Sequence, residues 1–235
     1  MADGDSYMRI HNQKYIVVVE SARERAYNTL RKKIISLELP PGTMISTQEV
    51  ADYMSISRTP VREAFLALQR ECLLEISHQK PSMVSLIDRG RVQQEYFTRK
   101  VLEIENMRLF AANPSEEMLG KLKKNISQQK EALEHQEYER YQELDNEFHL
   151  LPFTETGQEL AASIISQMNG HYNRVRMMIR RDDEISNDII GEHEQLLESI
   201  GQRNAVRAVE LLQSHIQALQ PLQDRLVHQW PEYFV

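Results

Sequence analysis

The chain has 235 residues and a formal net charge of −7, with 41% hydrophobic and 27% charged residues. This composition excludes a disordered chain and is typical of a globular protein, whose length favours two domains. No apolar run approaches the roughly 20 residues that a membrane helix needs. One cysteine, Cys72, excludes an internal disulfide and fits a reducing compartment. We therefore expect a cytoplasmic protein without a membrane partner.

The charge is unevenly distributed along the chain. Residues 21–88 carry nine basic and eight acidic residues, whereas residues 89–235 carry 17 basic and 24 acidic residues. The acidity therefore belongs to the C-terminal part. A nucleic-acid-binding surface in the N-terminal part would need its cations clustered on one face.

Residues 1–20 are predicted to form an N-terminal arm, and residues 21–88 a small domain. Helical spacing predicts a first helix over 22–37, which the proline pair Pro40-Pro41 cannot continue. Ser46 or Thr47 is expected to cap a second helix. A third helix is predicted over 58–70, and two extended pieces, 73–77 and 83–87, indicate a β-hairpin.

Residues 91–228 are predicted to form an all-helical domain, followed by an aromatic tail over 229–235. The expected helices span about 91–112, 115–135, 138–154, 157–181, 185–201 and 204–228. The breaks between them coincide with prolines, glycines or charge-rich turns. His171 and Arg176 are expected to be polar groups on a helix that faces solvent. The chain carries no glycine-rich phosphate loop, so nucleotide hydrolysis has no support.

The second and third predicted helices form a helix-turn-helix with its turn near Ser55. Pro60 falls in the first turn of the third helix, where its missing N–H costs nothing. The outward face of that end carries four side chains suited to base edges and phosphates: Ser57, Arg58, Thr59 and Arg62. The alternative is a solvated surface helix with two arginines.

The predicted hairpin follows the third helix at the distance that a winged helix requires. Its tip carries His78 and Lys80, which suit contact with the minor groove or the DNA backbone, and Gln48 completes the predicted DNA-binding residues. The predicted fold class is therefore mainly α, with an N-terminal winged helix-turn-helix and a C-terminal all-α helical bundle. The expected partner is double-stranded DNA.

Four residues of the helical domain indicate a metal site. Asp145 and His149 lie four apart and share one helix face. His193 and His215 are equidistant from the predicted turn at 201–204, so an antiparallel helix pair would place them side by side. One aspartate and three histidines suit Zn²⁺, Ni²⁺, Mn²⁺ or Fe²⁺. From spacing alone, ordinary surface or hydrogen-bonded histidines are the more frequent explanation.

Two runs carry a resemblance to the GntR family of bacterial regulators: Leu39-Pro40-Pro41-Gly42-Thr43 and Ser57-Arg58-Thr59-Pro60-Val61-Arg62-Glu63-Ala64. In that family, arginines at the positions of Arg58 and Arg62 contact operator DNA, and the wing enters the minor groove. This chain departs from the pattern at Gln79, Ser55 and Cys72, where the family usually has glycine. Serine and cysteine can adopt a left-handed conformation at modest cost.

Residues 91–228 resemble the FCD ligand-binding domain of the FadR subgroup. The resemblance implies that Asp145, His149, His193 and His215 hold a divalent metal, with zinc favoured. It further implies a small carboxylate effector, such as a sugar acid or hydroxy acid, and a homodimer on a pseudo-palindromic operator. Arg99 matches the family's Arg-x3-Glu and could bind the carboxylate, although an Arg99–Glu103 surface pair is an equal alternative.

The resulting hypothesis is a ligand-responsive bacterial transcription regulator that acts as a repressor and is not an enzyme. One rival is a metal-dependent hydrolase or lyase, with Glu147, Glu192 or Glu194 as a base. A second rival is a direct metal sensor without an organic effector.

Overall fold

The computed structural model describes residues 20–77, 80–182, 188–219 and 222–235. The elements over these ranges, in chain order, are α1 (Ala22–Ile35), β1 (Met44–Ile45), α2 (Thr47–Met54), α3 (Arg58–Arg70), β2 (Leu74–Glu75), β3 (Ser82–Val84), α4 (Arg89–Ala112), α5 (Glu116–Glu134), α6 (Tyr138–Glu155), α7 (Glu159–Gln167), α8 (Gly170–Arg181), α9 (Ile189–Gly201), α10 (Ala205–Gln217), α11 (Leu222–Gln229) and a 3₁₀ turn (Pro231–Tyr233). The fold is mainly α, as predicted.

The N-terminal unit is a winged helix. Helices α1–α3 enclose a core that includes Ile34, Val61 and Leu68, each with no exposed surface. The three strands form an antiparallel sheet in the order β1-β3-β2, with Leu74 opposite Val84. The predicted hairpin of β2 and β3 is confirmed, whereas β1 was not predicted. The predicted arm over 1–19 and the wing tip at 78–79, including His78, lie outside the described residues.

Local chemistry sets the ends of the DNA-reading helices. Ser46 caps α2 and forms a reciprocal capping box with Glu49. Ser55 ends α2 with φ of 54°, and Cys72 follows α3 with φ of 59°. Both residues therefore adopt the left-handed conformation that glycine usually adopts after a helix end.

The C-terminal unit is an all-α bundle whose main core includes Phe110, Leu122 and Leu212. Two predicted helices are each divided in two. The helix predicted over 157–181 breaks between α7 and α8, and the helix predicted over 204–228 ends at Gln217 and resumes at Leu222. At the first break, a side chain on Gly170 would approach Leu73 to 2.7 Å, so glycine permits α8 to start against the winged helix.

A buried polar contact joins the two units at the start of α8. His171 accepts a hydrogen bond from the Asp88 backbone (3.0 Å) and lies 2.9 Å from the Cys72 carbonyl through Nε2. Arg174, which has no exposed surface, donates to the Ser85 carbonyl at 2.6 Å. His171 was expected on a solvent-facing helix surface, and that expectation is wrong because α8 packs between the wing and the bundle.

No described helix combines the length and the apolar character that crossing a membrane requires.

Candidate metal and effector site and nucleic-acid interface

The predicted ligand residues come from three helices of the bundle. Asp145 and His149 lie one turn apart on α6, while His193 lies on α9 and His215 on α10. Helices α9 and α10 contact each other across a short turn, and the rings of His193 and His215 are 4.8 Å apart. The helix-pair symmetry read from the sequence therefore places these two histidines side by side.

The three imidazoles converge on one point. Their ligand nitrogens all lie within 4.8 Å of one another, and Nε2 of His149 is 3.2 Å from Nε2 of His215. Nε2 of His193 is fully buried and has no hydrogen-bond partner among the described residues. A buried imidazole nitrogen without a partner is costly in an apolar interior unless a ligand satisfies it. The donor set therefore fits a transition-metal ion.

Each imidazole has an oxygen atom close to its Nδ1, and this contact orients the ring. Nδ1 of His149 lies 2.7 Å from Glu103 Oε2, that of His193 lies 3.0 Å from Gln129 Oε1, and that of His215 lies 2.6 Å from Glu192 Oε2. These contacts come from α4, α5 and α9. Such acceptors fix the tautomer and aim Nε2 at the shared point.

Asp145 stands beside this cluster and has a competing partner. One of its oxygens is 3.9 Å from Nε2 of His149, and the other is 3.9 Å from Nε2 of His193. The same carboxylate pairs with Arg176. Burial alone would raise the pKa of Asp145, but Arg176 and the two histidines lower it well below its usual range, so it is ionised. Arg176 was expected to face solvent, but it is 3% exposed because Asp145 neutralises it.

The electrostatics keep His149 and His193 in the neutral form that binds metals. Burial lowers the pKa of His149, and burial together with the neighbouring His215 lowers that of His193 well below its usual range. Burial opposes ionisation of Glu103, but Arg99 and His149 bring its pKa down to about 2. Neutral imidazoles next to ionised carboxylates are suited to a divalent cation.

A cavity of about 110 Å³ adjoins the histidine cluster. Arg99, Glu103 and His149 form one part of its wall, and Asn146, Asn169 and Asn173 form another. The Arg99–Glu103 pair is present, but it is buried rather than a surface pair: the two residues are 4% and 3% exposed. A guanidinium in a cavity wall can bind an anion bidentately, and the amides can bind hydroxyl groups.

The predicted DNA-reading residues lie together on the opposite unit. Gln48, Ser57, Arg58, Thr59, Arg62 and Lys80 are all exposed. A cleft of about 630 Å³ between the end of α3 and the wing is lined in part by Gln48, Arg58, Arg62 and Lys80. Three of the nine basic residues of this unit therefore lie around the N-terminal end of its third helix, where a recognition helix meets the major groove.

Sequence reasoning missed the acceptors that orient the histidines and all the residues that join the two units. Glu103 was named only as the partner of Arg99 in the Arg-x3-Glu match, and Gln129 lies in no motif, so neither residue was linked to the histidines. Glu192 directly precedes His193 on the helix pair that carries His193 and His215. That position was a signal that Glu192 could lie close to His215.

A winged helix with an exposed basic reading end, joined to an all-α unit that contains a polar cavity, is typical of a DNA-binding transcription regulator. The family models agree. Residues 22–84 match the model for bacterial regulatory proteins of the gntR family, and residues 95–218 match the FCD domain. The chain belongs to the GntR family of transcription regulators and carries an FCD domain.

Relatives and solved structures support the same family and fold. The HTH-type transcriptional repressor RspR of Escherichia coli K12 is 28% identical over 200 residues, which cover 85% of this chain and 88% of that protein. The gluconate operon transcriptional repressor of Bacillus subtilis 168 is 24% identical over 145 residues, or 62% of this chain and 59% of that protein. The structure of E. coli McbR/YncC matches 88% of this chain and 99% of that one, with a TM-score of 0.77 and 18% identity. RspR and the gluconate operon repressor are named as transcriptional repressors and not as enzymes.

Proposed function

We propose that the chain is a repressor whose FCD domain holds a divalent metal ion and binds a small carboxylate effector beside it. The observation that carries this proposal is the convergence of three imidazole Nε2 atoms, one of them buried without a partner. His149, His193 and His215 would hold the metal, with Asp145 as a further ligand. Zinc is favoured by the three nitrogen donors, and nickel, manganese and iron are the alternatives.

The effector is proposed to be a sugar acid or a hydroxy acid. When bound, the metal supplies positive charge for a carboxylate. Arg99 would orient that carboxylate, and Asn146, Asn169 and Asn173 would bind hydroxyl groups. The cavity next to the histidines favours this function over a direct metal sensor, because a sensor of the ion alone needs no such space.

Metal content is the first test of the proposal. Elemental analysis of the purified protein should find one divalent metal per chain, and His193→Ala should lose it. His135→Ala is the matched control, since His135 is exposed at the end of α5. The metal site is refuted if the wild type cannot be loaded, or if both variants retain the same metal content.

A chelator separates the proposed function from a direct metal sensor. Removal of the metal should lower the thermal stability, because binding to the folded state alone stabilises it by about 2.7 kcal/mol at a hundredfold excess of ligand over Kd. Operator affinity should persist in the apo protein. Complete loss of operator binding on chelation, with the fold intact by circular dichroism, would favour the direct sensor.

The proposed DNA-bound form is a homodimer on a pseudo-palindromic operator, with its two recognition helices about one DNA turn apart. Exposed apolar side chains support self-association. Phe97 and Val101 lie on α4 and are 66% and 49% exposed, while Leu160 and Ile164 lie on the neighbouring α7 and are 76% and 39% exposed. Sedimentation of the free protein and of its complex with a symmetric duplex tests this stoichiometry.

A further inference from the structure

One arginine of the winged helix contacts the sensing domain directly. Arg31 lies on α1, and its Nε is 2.8 Å from Glu71 Oε2, while its NH2 group donates to the Ser166 carbonyl at 2.7 Å. Glu71 is the C-cap of the recognition helix α3, and Ser166 lies in the last turn of α7. A single guanidinium therefore joins the DNA-reading unit to the bundle.

The same arginine lines the cavity beside the histidine cluster. The wall of this cavity includes Arg31 together with Arg99, Glu103 and His149. Arg31 comes from a different unit than the other three residues, so both units contribute to the wall of this cavity. Arg31 is partly exposed, at 23% of its side chain, and can therefore reorient toward a ligand at low cost.

We infer that Arg31 is a ligand-binding residue supplied by the DNA-binding unit, and that it couples the effector cavity to the recognition helix. This inference rests on the proposed carboxylate effector. An anion in the cavity competes with Glu71 and the Ser166 carbonyl for the Arg31 guanidinium. Once the guanidinium turns to the anion, the end of α3 loses its link through Arg31 to α7, while Tyr27 of α1 still donates a hydrogen bond to Glu71.

The chemistry of the wall defines the class of ligand. Arg99 already has a buried partner in Glu103, whereas Arg31 is held by a residue that is itself only partly buried. An anion with hydroxyl groups can therefore satisfy the guanidinium of Arg31 and the neighbouring amides together. A neutral sugar could bind the amides but would have no group to compete with Glu71.

The coupling has a defined direction. Ligand binding should weaken operator affinity, because the link through Arg31 that holds the end of α3 to the bundle is released. By linkage, operator DNA should weaken ligand binding by the same factor.

Zinc-loaded full-length protein, titrated with D-gluconate and L-malate as probes, tests the inference. Calorimetry measures probe binding, and fluorescence anisotropy measures release from a duplex selected by the wild type. Arg31→Gln should weaken probe binding roughly ten- to a hundredfold, as expected for loss of a charged hydrogen bond. Arg31→Lys keeps the positive charge and should therefore lose less of the probe affinity. Arg25→Gln is the matched control, because Arg25 lies on the same helix outside the cavity wall, and among the described residues its guanidinium donates to the Glu20 carbonyl alone.

Glu71→Gln separates binding from coupling. This variant should bind the probe at least as tightly as the wild type, since the competing carboxylate is gone, but the probe should release less DNA. A merely structural Arg31 would not give this split between binding and response. Wild-type probe affinity in Arg31→Gln, or full DNA release in Glu71→Gln, overturns the inference.

The experiment also distinguishes this inference from the proposed function. If probe binding requires His149 but not Arg31, the proposed effector site is supported and the role of Arg31 in coupling is refuted. If neither probe binds the wild type at millimolar concentration, the carboxylate effector and the coupling through Arg31 are both refuted.

Discussion

The carboxylate of Glu192 gives the sharpest test of the histidine cluster, because it touches no proposed metal ligand atom. It lies 2.6 Å from Nδ1 of His215 and leaves Nε2 free for the ion. Loss of such an acceptor typically lowers metal affinity about 10- to 100-fold. Glu192 is 37% exposed, so water weakens the contact and the lower end of this range is expected. Glu192→Gln should therefore weaken zinc binding about tenfold, or about 1.4 kcal/mol.

Competition with a chromophoric chelator measures this change in affinity. Glu194→Gln is the control, since Glu194 is an exposed carboxylate two residues away with the same effect on net charge. Glu192→Ala should weaken binding more than Glu192→Gln, because the amide oxygen can still accept the Nδ1 proton. Equal affinities in the Glu192 and Glu194 variants would refute the reasoning, since the change would then reflect only general charge.

Three further predictions concern DNA, pH and assembly. Arg58→Ala and Arg62→Ala should each weaken operator binding by about 1–3 kcal/mol and lower the salt slope by about one in gel shifts, whereas Arg70→Ala, at the far end of α3, should not. Burial and the nearby Arg174 lower the pKa of His171 to about 4, so the folded state keeps this ring neutral while the unfolded chain takes up a proton below about pH 6.5. The free energy of unfolding should then fall by about 2 kcal/mol from His171 alone between about pH 7 and about pH 5, and urea titrations of His171→Gln should lack that component. Phe97→Glu should shift the sedimentation equilibrium toward monomer; an unchanged mass would place the dimer contact elsewhere.

The histidine cluster was accessible from sequence because two local rules position it. A four-residue step places Asp145 and His149 on one face, and the symmetry of a helix pair brings His193 to His215. Their supporting acceptors were not accessible, because Glu103 and Gln129 reach the cluster only through the packing of α4 and α5. Tertiary contacts of this kind leave no periodic signal along the chain.

The division between α7 and α8 shows where pattern reading fails. Helical spacing continues through residues 157–181, so the sequence predicted one helix there. At the break, Gly170 leaves room for the Leu73 side chain of the other unit, a contact that helical spacing does not reveal. The error over His171 and Arg176 has the same origin, since charged groups were assigned to solvent when they are buried at contacts between elements.

The negative net charge of −7 is compatible with DNA recognition because the basic residues that face DNA and the excess of acidic residues lie in different units. Arg58, Arg62 and Lys80 line a single cleft of the N-terminal unit, so a phosphate approaching that cleft meets locally concentrated positive charge. The carboxylates Glu103 and Glu192 instead orient imidazoles inside the bundle. The acidic residues of the bundle therefore do not weaken short-range contacts at the recognition helix. Surface charges separated by more than about 10 Å are largely screened at 0.1 M salt.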